Sequence, residues 1–489
     1  MKRFLRILSI FLILFSLSVL WSCGEKKSGD QQNGDAGATS AGELDEADGE
    51  DADLTPYLPD ADYGGYEFSI LMRQHNANRD FIYEEAAGEV VDDALYRRDL
   101  AVEERLGVKI VPVVKEGAGD FAVKSIKAGD DDFDLILPHA NVAWSSYVAN
   151  GLAFGWDGLT YVDLGKPWWN KDARESFSVG GKIYNMTGDA SYMSLGFTVA
   201  LAFNKNMFRD LNLEEPYQMV LDGTWTFDVF SALVKKGTKD LNGDSKIDIN
   251  DGDRLGFVTT VWQAPVAFLW SCGSRTTKKD ESDMPYIALN NEKTVKLFES
   301  LFALLKSEDC HAYDAGSSGN LPHVQALENE KALIVDLHIW SLAQLKNMSS
   351  EYGVVPYPKF TPDDKYASNV DAGVHTMIIP VSLKDPERTS AVLESLSAES
   401  YRTVMPAFYE IALKVKYTRD DVSVKMLDII KESRVFDFGY FTNYNNSICM
   451  PGHVLFGQAS PDFASLYEKN ESAAQKALEK LVDNILNNQ

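Results

Sequence analysis

The sequence predicts an α/β protein of two lobes. Its 489 residues allow two or three domains at roughly 150 residues each, and 45% hydrophobic and 11% aromatic content supplies a large core. Its apolar segments alternate between strand-like and helix-like periods, in a pattern that restarts near Asp189. The formal charge of −26 argues against a nucleic-acid partner, because phosphate binding needs a basic face. Four cysteines, Cys23, Cys272, Cys310 and Cys449, are too few for a disulfide scaffold and lack zinc-site spacing. Buried, reduced thiols are expected for the last three.

The chain opens as an export signal. Lys2, Arg3 and Arg6 precede an apolar run over residues 7–20, the length of a signal core and short for a membrane span. It ends in Leu20-Trp21-Ser22-Cys23-Gly24, which resembles the lipobox of a bacterial lipoprotein. In that reading residues 1–23 are a lipoprotein signal segment cut just before Cys23, which is acylated and becomes the first mature residue. Trp21 departs from the small residue usual two places before the cysteine; the alternatives are an ordinary signal peptide or an uncleaved anchor. Residues 24–58 read as a disordered acidic linker. As far as Pro56 it has no aromatic residue and carries ten acids against two lysines, so it cannot bury enough surface to fold. The expected location is therefore the outer face of the cell membrane, or a periplasm, by lipid anchor.

The body begins with a strand at residues 66–72, a helix at 92–106 stopped by Gly107, a strand at 108–113, a short helix at 121–128 and a buried strand at 134–137. Strand-helix-strand repetition implies right-handed crossovers and a parallel sheet, with ligands bound beyond the strands' carboxyl ends. Arg73 and His75 follow the first strand; His139 and Asn141 follow the third. The second lobe should carry strands at 197–204, 255–260 and 331–337, helices at 226–235 and 293–306, and a return strand at 377–380 leading into a helix at 387–396.

Several stretches together are similar to extracellular solute-binding proteins of family 1, the substrate-binding lipoproteins of ABC importers. They are Asp92-Asp-Ala-Leu-Tyr-Arg-Arg, Val102-Glu-Glu-Arg-Leu-Gly-Val-Lys109, Phe133-Asp-Leu and Lys166-Pro-Trp-Trp-Asn170. Phe203-Asn-Lys205, Asp222-Gly-Thr-Trp-Thr-Phe-Asp228 and Gly353-Val-Val-Pro-Tyr-Pro-Lys359 follow. Tyr409-Glu410, Arg419-Asp420 and Met426-Leu-Asp428 complete the set. The resemblance implies a periplasmic-binding-protein-like (type II) fold: two α/β lobes that close about a hinge on a ligand. On that basis the organisation is lobe 1 at 59–188, lobe 2 at 189–360, a return to lobe 1 at 361–430 and a C-terminal helical region at 431–489. The implied partners are a small solute and an ABC permease, met as a monomer.

Tryptophans beside turn residues suggest a carbohydrate, since a flat indole covers the C–H face of a sugar while Asp, Asn and His bond its hydroxyls. Trp340 stands just after the 331–337 strand, where the resemblance implies a stacking ring; Trp144, Tyr192 and Trp262 are further ligand candidates. Asp240-Leu-Asn242-Gly-Asp244-Ser-Lys246-Ile-Asp248-Ile-Asn-Asp251 resembles a calcium loop of the dockerin or EF-hand kind. Its ligands would be the side chains of Asp240, Asn242, Asp244, Asp248 and Asp251 and the carbonyl of Lys246, in a structural role. Enzyme signatures are absent: no Gly-x-Ser-x-Gly, no Walker A loop, no His-Glu-x-x-His. The expectation is a binding protein without catalysis, with a secreted carbohydrate-active hydrolase and a surface adhesion lipoprotein as the rivals.

Overall fold

The computed structural model describes residues 54–74, 79–83, 88–314, 321–418 and 420–487. The leader, Cys23 and His75 lie outside the described residues. The last five residues of the expected linker rest on the body: the Leu54 carbonyl accepts from Arg402 and the Tyr57 ring meets Tyr161 at 5.8 Å.

Lobe 1 is built on β1 (Tyr66–Arg73), α1 (Val90–Leu106), β2 (Val108–Lys115), α2 (Ala118–Ala128) and β3 (Leu135–Leu137). The strands run parallel in the order β2-β1-β3, with Tyr66 opposite Val108 and Leu71 opposite Ile136. Gly107 ends α1 in the left-handed region, φ 62°, and its N–H bonds the Glu103 carbonyl. Glycine suits that backbone, and a Cβ there would lie 1.8 Å from an Asp62 oxygen and force that side chain to move. Ile378 bridges antiparallel to Ile136, and Met377 to Met186, so the late return stretch closes the β3 side of this sheet. The helix Pro386–Arg402 that follows is capped by Asp385 and packs on α1.

Lobe 2 carries β4 (Val199–Asn204), β5 (Leu255–Thr260), the hairpin β6 (Thr277–Lys279) and β7 (Pro285–Ile287), β8 (Cys310–Tyr313), β9 (Ala332–His338) and β10 (Tyr352–Val355). Its five-stranded sheet has the order β10-β4-β9-β5-β8, with β9, β5 and β8 parallel and β4 antiparallel to both its neighbours. All six residues of β5 are buried, as a strand covered on both faces requires. The helix Phe227–Gly237 lies so close that a Cβ on Gly256 would sit 1.8 Å from the Val234 carbonyl oxygen.

Two segments cross between the lobes side by side, joined where Thr198 bridges Val370. A parallel pairing of Ser368–Asn369 with Arg434–Val435 lies next to them. Beyond it, the return expected to continue to residue 430 leaves lobe 1 earlier: the helix Asp421–Glu432 packs on β10 of lobe 2. The C-terminal helix Phe463–Asn487 touches both lobes. Phe463 stacks on Phe298 at 5.1 Å, while Asn484 donates to the Ala149 carbonyl and Lys182 to that of Leu486. The β6–β7 hairpin also reaches lobe 1, where Asp283 accepts from Ser178 and from the Gly181 N–H. Cys272, Cys310 and Cys449 are unpaired, as the sequence leads one to expect. No helix among the described residues is long and apolar enough to cross a membrane.

Candidate functional site

The parallel strands of both sheets point toward the second crossing segment. Arg73 closes β1, His139 follows β3, and His338 closes β9; the crossing runs through Asp371, Gly373 and His375. Residues 371–374 make a tight turn, closed by the Val374 N–H on the Asp371 carbonyl, which sets Asp371, Gly373 and His375 close together. Arg73 donates through Nε to His375 Nε2 at 3.0 Å and through the rest of its guanidinium to the Gly373 carbonyl. His139 pairs with His375 across an antiparallel bridge. From lobe 2, His338 Nε2 lies 3.8 Å from Asp371 Oδ2, an oxygen that also accepts from the Tyr440 hydroxyl at 3.2 Å. The Gly373 N–H donates to the other Asp371 oxygen at 2.6 Å. The Trp340 indole lies almost parallel to the His338 ring, 6.5 Å away and tilted by 11°, with Phe197 beside both.

The electrostatics follow from burial and charge. Burial lowers the Arg73 pKa to about 10 against the pull of Asp371, so the guanidinium stays charged at neutral pH. Burial opposes ionisation of Asp371, but the neighbouring His338 ring and the Gly373 N–H outweigh it and hold the carboxyl at about 2. Burial, then the Arg73 charge, lowers His139 to about 4, leaving a neutral imidazole in contact with Asn141. The walls thus carry the Arg73 cation, the Asp371 anion and the neutral His139 ring, which can donate and accept. His139 Nδ1 and Trp340 Nε1 are buried with no hydrogen-bond partner among the described residues. Buried polar atoms of that kind are ordinarily satisfied by water or a ligand.

The structure therefore brings Arg73, His139, Asn141 and Trp340 to one place. Trp262 stands nearby in the sheet: Val258 is opposite Val335, so the chain leaving β5 rises beside that leaving β9. Its indole is 46% exposed and stacks on His453 at 3.7 Å. Trp144 and Tyr192 are elsewhere. Trp144 is 1% exposed, wedged edge-on between Phe177 and Phe438, and has no face left for a ligand. Tyr192 is 3% exposed and packs edge-on against Phe408 within the first crossing. Sequence reasoning missed Asp371, His375 and His338; a turn at residues 371–374 and a pairing 302 residues apart bring them in, and no local pattern marks either.

The acidic loop folds differently from the expected ligand set. Carboxylate oxygens of Asp240, Asp244 and Asp253 lie within 4.8 Å of one another, so the third carboxylate is Asp253, two residues beyond Asp251. Asp251 sits exposed on the short turn Ile249–Asp251, and Asp248 caps the Asn250 N–H. Asn242 accepts from the Asp244 N–H, and the Lys246 N–H donates to Asp244. Asp253, 1% exposed, accepts from the N–H groups of Leu241, Asn242 and Asp248, and those bonds lower its pKa. Ser245 takes the left-handed turn, φ 65°, where glycine is usual. Carboxylate oxygens that accept one N–H keep a lone pair, and an all-oxygen donor set suits a hard divalent cation.

No protein-family model and no curated protein sequence matches the chain. Solved structures do. An ABC substrate-binding protein from Listeria monocytogenes, in complex with cycloalternan, superposes with a TM-score of 0.53 at 14% identity, over 86% of this chain and 98% of that one. An ABC transporter solute-binding protein from Thermotoga lettingae TMO, bound with α-D-tagatose, gives 0.52 at 15% identity over 86% and 100%. At such identity the likeness speaks for architecture: the chain has the two-lobed α/β fold of periplasmic solute-binding proteins.

Proposed function

We propose that the protein is a solute-binding receptor that captures a carbohydrate, an oligosaccharide in particular, between its lobes and delivers it unaltered to an ABC importer. A lipid on Cys23 would hold it at the outer face of the membrane. The observation that carries this reading is the meeting of Arg73, His139 and Asp371 with the Trp340 indole at the second crossing segment. Nearly balanced charge with donor–acceptor rings suits neutral hydroxyl groups, and a flat ring suits the apolar face of a sugar. The two structural neighbours hold cycloalternan and tagatose, which supports the same class. Binding would proceed by hinge closure, since only the closed state engages both walls. The Asp240 loop would hold a structural Ca²⁺ through Asp240, Asp244 and Asp253.

Thermal unfolding against a glycan panel tests the reading, because a ligand at 100 times its Kd adds about 2.7 kcal/mol. One sugar class should raise Tm and be recovered unchanged. Cleavage of the glycan would instead select a hydrolase, and no saturable binding at all an adhesion protein.

A further inference from the structure

Arg73 is held from behind by a chain of buried groups that reaches both crossing segments. Its Nε–H donates to His375 Nε2 at 3.0 Å. A guanidinium has only donors, so Nε2 must offer its lone pair and the neutral ring carries its proton on Nδ1. Nδ1 faces Asp80 Oδ2 at 3.5 Å. Asp80, fully buried, is itself pinned: Oδ2 accepts from the Ser191 hydroxyl at 2.9 Å and Oδ1 from the Met193 N–H at 3.0 Å. The Asp80 carbonyl accepts from Arg98 at 3.0 Å. Ser191 and Met193 belong to the first crossing and His375 to the second, so one chain of bonds joins Arg73 to both.

We propose that Asp80 and His375 are positioning residues: Asp80 sets the Nδ1–H tautomer of His375, which aims the Arg73 guanidinium at the ligand. This rests on the proposed capture of a sugar between the lobes. Among the described residues, the other charged or titratable groups facing the imidazole are His139 and, through Arg73, Asp371. Burial lowers the His375 pKa, which keeps the ring neutral, as the relay requires.

The test separates positioning from mere packing. In the full chain, His375→Gln keeps an acceptor for Arg73 and a donor for Asp80, so it should bind the parent's sugar within about two-fold. His375→Leu removes both and should weaken binding roughly ten-fold, as Arg73→Met should. Gln binding as poorly as Leu, or Leu binding like the parent, overturns the proposal. A second readout needs no ligand: ¹⁵N-histidine NMR at pH 7 should show an Nδ1–H imidazole that vanishes in His375→Gln. If no sugar binds the parent, the functional reading falls while this signal still decides the relay; an Nε2–H or doubly protonated His375 overturns it.

Discussion

Arg73 and His139, on the lobe 1 wall, are held by hydrogen bonds and neighbouring charge, whereas Trp340 and Trp262, on the lobe 2 wall, are held by ring packing. Hydrogen-bonded groups keep fixed directions and therefore discriminate among arrangements of hydroxyls; packed rings offer area with little directional demand. Under the proposed capture of a sugar, the contrast predicts selectivity from lobe 1 and much of the affinity from lobe 2. It also separates a partly exposed ring, Trp340, from a core ring, Trp144, though the two are alike in sequence context.

The sharpest way to break the contrast is to truncate one ring of each kind. Trp144→Ala empties a site packed by Phe177 and Phe438 and should cost about 3–5 kcal/mol of folding stability by denaturant unfolding. Trp340→Ala should leave stability less affected and weaken sugar binding by about 2 kcal/mol, read by calorimetry. Equal binding losses in the two variants would remove the distinction.

A smaller effect lies in pH, and its sign should differ between the lobes. His139 titrates at about 4 in the folded protein against 6.5 ordinarily, so the unfolded chain binds the proton first and parent stability drops as pH falls from about 6.5 to 4. Measured against His139→Gln, the parent should lose Tm over that window. Asp336, on β9 of the lobe 2 sheet and bonded to Thr259 and Tyr357, is pushed by burial up to about 7 from 3.8. The folded form then binds the proton more tightly, so stability is lost as pH rises from about 4 to 7, and the parent should fall relative to Asp336→Asn there. Matching slopes in the two pairs would contradict the assignment.

The smallest expected effect comes from the acidic loop, which is neither wall. Calcium at ten times its Kd should add about 1.4 kcal/mol, and EDTA should remove it. Asp253→Asn should abolish that response, whereas Asp251→Asn should leave it nearly intact.

Much of the architecture was readable from local pattern. The run from β1 through α1 to Gly107 and β2 is set by periodicity and one left-handed glycine; the rule that ligands sit at strand carboxyl ends pointed to Arg73 and His139, and the family resemblance to Trp340. What escaped depends on pairs far apart in the chain. Arg73 and His375 are 302 residues apart, and Phe438 reaches Trp144 only after the chain has crossed between lobes. No window of sequence contains both partners. The loop misled for a subtler reason: motif spacing counts from Asp240 to Asp251, but backbone N–H groups draw Asp253 inward and leave Asp251 outside.

The C-terminal helix bears on how far the jaws can swing. With Phe463 seated on Phe298 at one end and Asn484 on Ala149 near the other, its 25 residues form a brace fastened to both halves. Any rotation of one half against the other must either pivot on that brace or shear it loose, so travel on its flank is restrained and the opposite flank has the greater freedom to gape.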